Sequence, residues 1–212
     1  MYYDKLDIKP GYINIAYYLK DCQVLGPGNR FVIWVQGCNF SCPGCITPHM
    51  QDWTISHLMS VEELIAEVLK AEAIEGITFV GGEPFAQARE LANFAQRLKE
   101  QRGLSIVTFS GYTLEELTHM QDPDAKRLLS ATDILIDGRY EQKLAKDLLW
   151  RGSSNQEVHF FSSRYAHLKD MTLRKGAGME FRIVSNSEIE IIGIPPPGFF
   201  PQPKAINGEQ FQ

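Results

Sequence analysis

Four short runs in this chain end in the same way. Residues 31–35, 77–80, 104–109 and 134–136 are rich in β-branched and aromatic side chains over the length of a strand. Each gives way at once to a polar turn that holds glycine: Gly37 and the cysteines after it, Gly81-Gly82-Glu83-Pro84, Ser110-Gly111-Tyr112, and Asp137-Gly138-Arg139. Helical patterns fill the intervals. Ser60-Val61-Glu62-Glu63 is a capping box, followed by apolar residues at helical spacing through Leu69. A second helix is predicted near 85–102, with Leu91, Ala95 and Leu98 on one face, and Thr113-Leu114-Glu115-Glu116 opens another. With a fifth strand over 157–161, strands alternate with helices from 31 to about 161. That is the pattern of βαβ units and a parallel sheet, an α/β fold. In such folds ligands gather at the C-terminal ends of the strands, where all four glycine turns fall. Residues 1–30 read as irregular, residues 181–184 and 189–192 as a strand pair, and residues 195–212 as an extended Pro-rich tail.

The first turn carries the densest chemistry. Cys38, Cys42 and Cys45 are spaced C-x3-C-x2-C within eight residues, too close for a disulfide framework. Thiolates in that setting favour zinc or an iron–sulfur cluster. A structural zinc site wants four ligands, and the nearest further donors are His49 and the distant Cys22. Three donors leave a metal position open, as catalytic sites require. Cys22 itself reads as a buried thiol. The Gly81-Gly82-Glu83 turn lets backbone approach a ligand, and Glu83 favours an ammonium over a phosphate.

Composition bounds the partners. Lys and Arg number 21 against 26 Asp and Glu, for a net charge of −5, so the chain has no electrostatic footprint for nucleic acid. No apolar run approaches the roughly 18 residues of a membrane span, and the N-terminus lacks a signal-peptide layout. No membrane partner and a cytoplasmic location are the expectations.

Taken together, the cysteine loop and the glycine turns resemble those of the radical S-adenosylmethionine (SAM) enzymes. The fuller set is similar to the activating enzymes of anaerobic (class III) ribonucleotide reductase. It comprises Gly26-Pro27-Gly28, Cys42-Pro43-Gly44-Cys45, Gly81-Gly82-Glu83-Pro84, Gly111-Tyr112, Asp137-Gly138 and the loop from Trp150 to Gln156. The likeness runs from about residue 26 to 162. It implies a partial, open (β/α) barrel of the radical SAM type with a short C-terminal extension. The core would be residues 1–162, an extension packed on it 163–194, and the tail 195–212.

The resemblance also implies a mechanism and its parts. One 4Fe–4S cluster would sit on Cys38, Cys42 and Cys45, with its open iron holding SAM. Reductive cleavage of SAM would then lead to hydrogen abstraction from a glycine of a glycyl radical enzyme, with anaerobic ribonucleotide reductase as the leading partner. A flavodoxin or ferredoxin would supply the electron. No side chain would act as acid, base or nucleophile. SAM would contact Gly44, Cys45 and Ile46 on the loop, Gly81, Gly82 and Glu83 at its methionine end, and Ser110, Asp137, Arg139 and Asn155 elsewhere. Arg139 suits the SAM carboxylate, or equally a surface ion pair. Two other functions remain open at this stage. One is a radical SAM enzyme acting on a small molecule or peptide; the other is a non-catalytic iron–sulfur or zinc module.

Among other residues, His159 is expected to pack or to bond backbone, and Trp53 to pack in the core. Arg164, Lys169, Arg174, Lys175 and Arg182 read as scattered surface charge.

Overall fold

The computed structural model describes residue 6 and residues 8–173, 176, 178–185 and 188–199. Arg174, Lys175 and most of the Pro-rich tail lie outside the described residues.

In chain order the strands are β1 (Tyr12–Leu19), β2 (Arg30–Val35), β3 (His57–Ser60), β4 (Gly76–Gly81), β5 (Ser105–Phe109), β6 (Ile134–Asp137), β7 (Ala145–Leu148), β8 (Arg151–Ser153), β9 (Glu157–Phe160), β10 (Met179–Ser185) and β11 (Glu188–Gly193). The helices are α1 (Val61–Lys70), α2 (Ala88–Arg102), α3 (Leu114–His119) and α4 (Pro123–Ala131). Seven strands form one mixed sheet in the order β3-β1-β2-β4-β5-β6-β9. The four in the middle run parallel, and β1, β3 and β9 are antiparallel to their neighbours. The remaining strands pair as two separate hairpins, β7-β8 and β10-β11.

The α/β expectation holds, with two corrections. Residues 1–30 are not wholly irregular, because β1 occupies the middle of that stretch. Strand β9 is antiparallel, because no helix crosses over between β6 and β9; the small β7-β8 hairpin fills that interval. The helix expected at 85 begins as a 3-10 turn over Pro84–Gln87 and becomes α-helical at Ala88.

Local sequence accounts for the helix starts. Ser60 Oγ accepts from Glu63 N–H while the Glu63 carboxylate accepts from Ser60 N–H, and Thr113 and Glu116 repeat that exchange. Asp122 caps α4, with Pro123 in its first turn. Each such cap contributes about 1 kcal/mol. One face of the sheet then buries Phe31, Ile33, Ile77, Phe79 and Ile106 against helical residues such as Leu64, Leu91, Phe94 and Leu98. Fully burying a side chain of that size contributes about 1.5–3 kcal/mol.

A parallel sheet must be covered on its other face as well. Here that face carries Val32 and Trp34, with the partly buried Val80 beside them. Residues Leu19, Cys22 and Leu25 cover part of it, and Ile192 of the β10-β11 hairpin completes the cluster. The C-terminal stretch thus supplies part of this cover. It is pinned twice more. Arg182 is ion-paired with Asp21, and Tyr165 hydrogen-bonds Ser105 Oγ at 2.7 Å and Glu75 Oε1 at 2.6 Å. Ser105 belongs to a polar plug at the N-terminal ends of the parallel strands. There the fully buried Arg30 guanidinium donates to Thr78, Ile77 and Ser105, and burial pulls its pKa down to about 10. The other ends of those strands carry the chemistry.

Candidate functional site

The cysteine loop leaves β2 and is stitched to its surroundings by backbone. Gly37 N–H donates to Met50 O at 2.9 Å and Cys38 N–H to Gln51 O at 3.0 Å, so the loop closes on itself. The Gly82-Glu83 turn after β4 lies directly against it: Gly82 N–H donates to Val35 O at 2.8 Å and Glu83 N–H to Gly37 O at 2.9 Å. The reason for glycine at 82 is steric. A Cβ there would run into the carbonyl of Gly37 and come within 2.9 Å of that of Met50.

Glu83 is buried, and its carboxylate is held from three sides. Phe85 N–H and Ser110 Oγ donate to Oε1, each at 2.9 Å, and Gly111 N–H donates to Oε2 at 2.8 Å. Burial pushes this carboxyl up to about 7, against the pull of those donors and of the Arg139 charge. A cation beside it would favour its ionised form. The turns after β4 and β5 are therefore joined through one carboxylate.

Phe40, inside the cysteine loop, makes a second junction. Its ring meets Tyr112 edge-on at 4.7 Å between centroids, and Arg139 lies over it at 4.4 Å. A Cβ on Gly111 would strike the same ring. The loop after β2 is thereby held to the turns after β5 and β6. Sequence reasoning passed over Phe40; its place between two of the cysteines was the available signal.

These junctions surround a cavity of about 860 Å³. The size suits a small-molecule or cofactor site. Cys38, Cys42, Gly44, Cys45 and Ile46 line it together with Gly81, Gly82, Glu83, Ser110 and Arg139. Burial pushes the Cys38 thiol up to about 12 and raises that of Cys42. A bound metal would displace those protons. Among the described residues, no three His, Cys, Asp or Glu side chains gather closely enough to hold a single metal ion. The three thiols line the cavity, as does His49, but among the described residues they do not gather as the four ligands of a closed zinc site would. Three soft donors at one cavity suit an iron–sulfur cluster.

Three residues expected here do other work. Asp137 is buried and does not line the cavity. Its carboxylate accepts from Leu114 N–H at the start of α3 and from Glu157 N–H in β9, and lies 3.0 Å from His159 Nε2. Burial pushes that carboxyl up, but the hydrogen bonds and the imidazole outweigh it and hold it below the usual range. Asp137 in turn raises the His159 imidazole, so the partner of His159 is a carboxylate and not backbone. Asn155 donates to Arg139 O at 2.8 Å, behind the cavity wall. Arg139 lines the cavity but is ion-paired with Glu116 at 3.0 Å. Cys22 is buried in the second core cluster, away from the other thiols. Trp53 is half-buried and outside the core clusters.

Residues 24–159 match the family described as a 4Fe-4S single cluster domain. The anaerobic ribonucleoside-triphosphate reductase-activating protein of Haemophilus influenzae is 34% identical over 155 residues, covering 69% of this chain and 97% of the relative. Its counterpart in Enterobacteria phage T4 is 33% identical over 141 residues, 64% of this chain and 86% of its own. That of Escherichia coli K12 is 34% identical over 147 residues, 64% of this chain and 91% of its own. Among solved structures, QueE from Escherichia coli matches 48% of this chain and 53% of its own, at 21% identity and a TM-score of 0.37. So slight a likeness leaves the fold to be argued from this chain's own sheet. Among the described residues, no helix is long and apolar enough to cross a membrane.

Proposed function

The chain belongs to the family of anaerobic ribonucleoside-triphosphate reductase-activating proteins, and from that premise we propose that it installs a glycyl radical on such a reductase by radical SAM chemistry. One observation carries the reading: Cys38, Cys42 and Cys45 line the same cavity as the Gly81-Gly82-Glu83 turn. When bound, a reduced 4Fe–4S cluster and SAM supply the one-electron cleavage of a carbon–sulfur bond and the abstraction of a hydrogen atom from the partner's glycine.

The chain's own residues bind and orient. Cys38, Cys42 and Cys45 would hold the cluster, three donors for four irons. Gly81 and Gly82 would let backbone approach the methionine end of SAM, and Glu83 would supply a carboxylate for its ammonium. Ser110 fixes the Glu83 carboxylate. Gly44 and Ile46 line the cavity with the thiols, and Arg139, which also lines it, would take the carboxylate of SAM. Asp137 and Asn155 act from behind, by holding α3, β9 and the backbone of Arg139 in place. The sheet is read as the open, partial barrel of radical SAM proteins. A flavodoxin or ferredoxin in the cytoplasm, where thiols stay reduced, is the proposed electron source.

The test is anaerobic reconstitution with iron and sulfide, reduction, addition of SAM and measurement of 5′-deoxyadenosine. The wild type should form product, and Cys42→Ala should bind less iron and fall at least about a hundredfold, as loss of a catalytic centre does. No product from a reduced, cluster-bearing wild type, even with the reductase present, would overturn the reading in favour of a binding module.

A further inference from the structure

The β10-β11 hairpin lies outside the matched residues 24–159, yet it forms part of the site. Glu190, Ile191, Ile194 and Pro195 line the same cavity as the cysteine loop. The cross-strand pairs Phe181↔Ile191 and Ile183↔Ile189 put four apolar side chains on one face of the hairpin. All four are exposed, Ile183 at 82% and Ile189 at 62%. An apolar face this open on a hairpin marks an interaction site. The hairpin's described charges are used elsewhere. Arg182 is paired with Asp21 and Glu180, and Glu190 bonds the Tyr17 hydroxyl. The opposite face is committed to the sheet through Ile192. Ile191 belongs both to the exposed face and to the cavity lining, so this face reaches the rim of the site at that residue.

We propose that the outer face of this hairpin, Phe181, Ile183, Ile189 and Ile191, is a docking surface for the partner polypeptide whose glycine enters the cavity. The proposal rests on the function given above, because only a macromolecular hydrogen donor must lie against the rim while one of its residues reaches inside. The matching surface on the partner is apolar and uncharged, next to the segment that bears the glycine. The hairpin thereby adds a selection element to the shared core: it favours the partner whose surface fits it.

The double variant Ile183→Glu/Ile189→Glu tests this, with Leu69→Glu on the exposed side of α1 as the control. Neither altered hairpin position lines the cavity. Binding of the reconstituted protein to the anaerobic ribonucleoside-triphosphate reductase of the same organism is measured by sedimentation. Cleavage of SAM without the reductase and glycyl radical yield with it are measured in parallel. The expected result is binding at least tenfold weaker and radical yield reduced in step, with SAM cleavage and melting temperature unchanged, and no effect of Leu69→Glu. Wild-type binding and radical yield in the double variant would overturn the proposal. So would a wild-type self-association that the double variant abolishes, which would make a second copy the occupant. Failure of the function itself would show differently, as absence of SAM cleavage in the wild type.

Discussion

The cysteine loop and the C-terminal hairpin both line one cavity, but different forces hold them. The loop is fixed by backbone hydrogen bonds to its own far end and to the Gly82-Glu83 turn, and by Phe40 between Gly111, Tyr112 and Arg139. The hairpin is held by one buried apolar side chain, Ile192, and by polar side-chain contacts near the surface: Arg182 with Asp21, Glu180 with the backbone N–H of Gln23, and Glu190 with Tyr17. Backbone bonds and close glycine contacts permit few alternatives, whereas surface ion pairs contribute about 0–1 kcal/mol each. One side of the site is therefore the more tightly determined and carries the proposed cofactor residues; the other is more adaptable and carries the proposed partner surface.

The strongest test of that contrast is Glu83. Its folded-state carboxyl is near 7 and its ordinary value near 4.5. The folded chain therefore keeps a proton that the unfolded chain releases. This contribution to stability is fully present below pH 4.5 and is lost as the pH rises through 7. Urea unfolding of the metal-free protein should show a loss on the order of 3 kcal/mol between pH 4.5 and 8 from this group. Glu83→Gln should remove that part of the slope; equal slopes in the two proteins would break the claim that the mouth is built around a strained, buried carboxyl. Next in size is Gly82→Ala, where the new methyl group meets two carbonyls that belong to the loop and cannot swing away. A loss of about 2 kcal/mol is expected by thermal or urea unfolding, together with weaker retention of iron. The smallest effect belongs to the hairpin. Ile192→Val should cost about 1 kcal/mol and leave iron content untouched. If it cost as much as Gly82→Ala, or released iron, the two sides would be equally rigid and the contrast would fail.

Much of the rigid side was legible in the chain. The strands at 31–35, 77–80, 104–109 and 134–136, the two capping boxes and the convergence of four glycine turns all follow from local pattern, because each is decided within a few residues. The rest depends on contacts between distant residues. Strand β1 buries Asn14 among apolar neighbours, which spoils its alternation. That burial is met by distant partners: Gln87, 73 residues away, bonds both its backbone N–H and its carbonyl, while Thr54 O and Ser56 N–H take up its side-chain amide. The direction of β9 has no local signature either. It brings His159 beside Asp137, which turns a residue expected at the ligand into one that holds the strands together. The pairing of β10 with β11 was visible as two apolar runs, but not that one of its faces would stay largely exposed, with Phe199 against Phe181.

The covering of the sheet's second face by Ile192 has a consequence for the order of assembly. A chain made from its N-terminus outward has Leu19, Cys22 and Leu25 to cover part of the flank at Val32 and Trp34, but lacks Ile192, the last member of that cluster, until much later. At ordinary rates of synthesis the delay from β2 to β11 is on the order of ten seconds. Until then the part of the flank that Ile192 covers stays wet and adhesive. The last layer to be synthesised is then the one that ends the molecule's vulnerability to clumping.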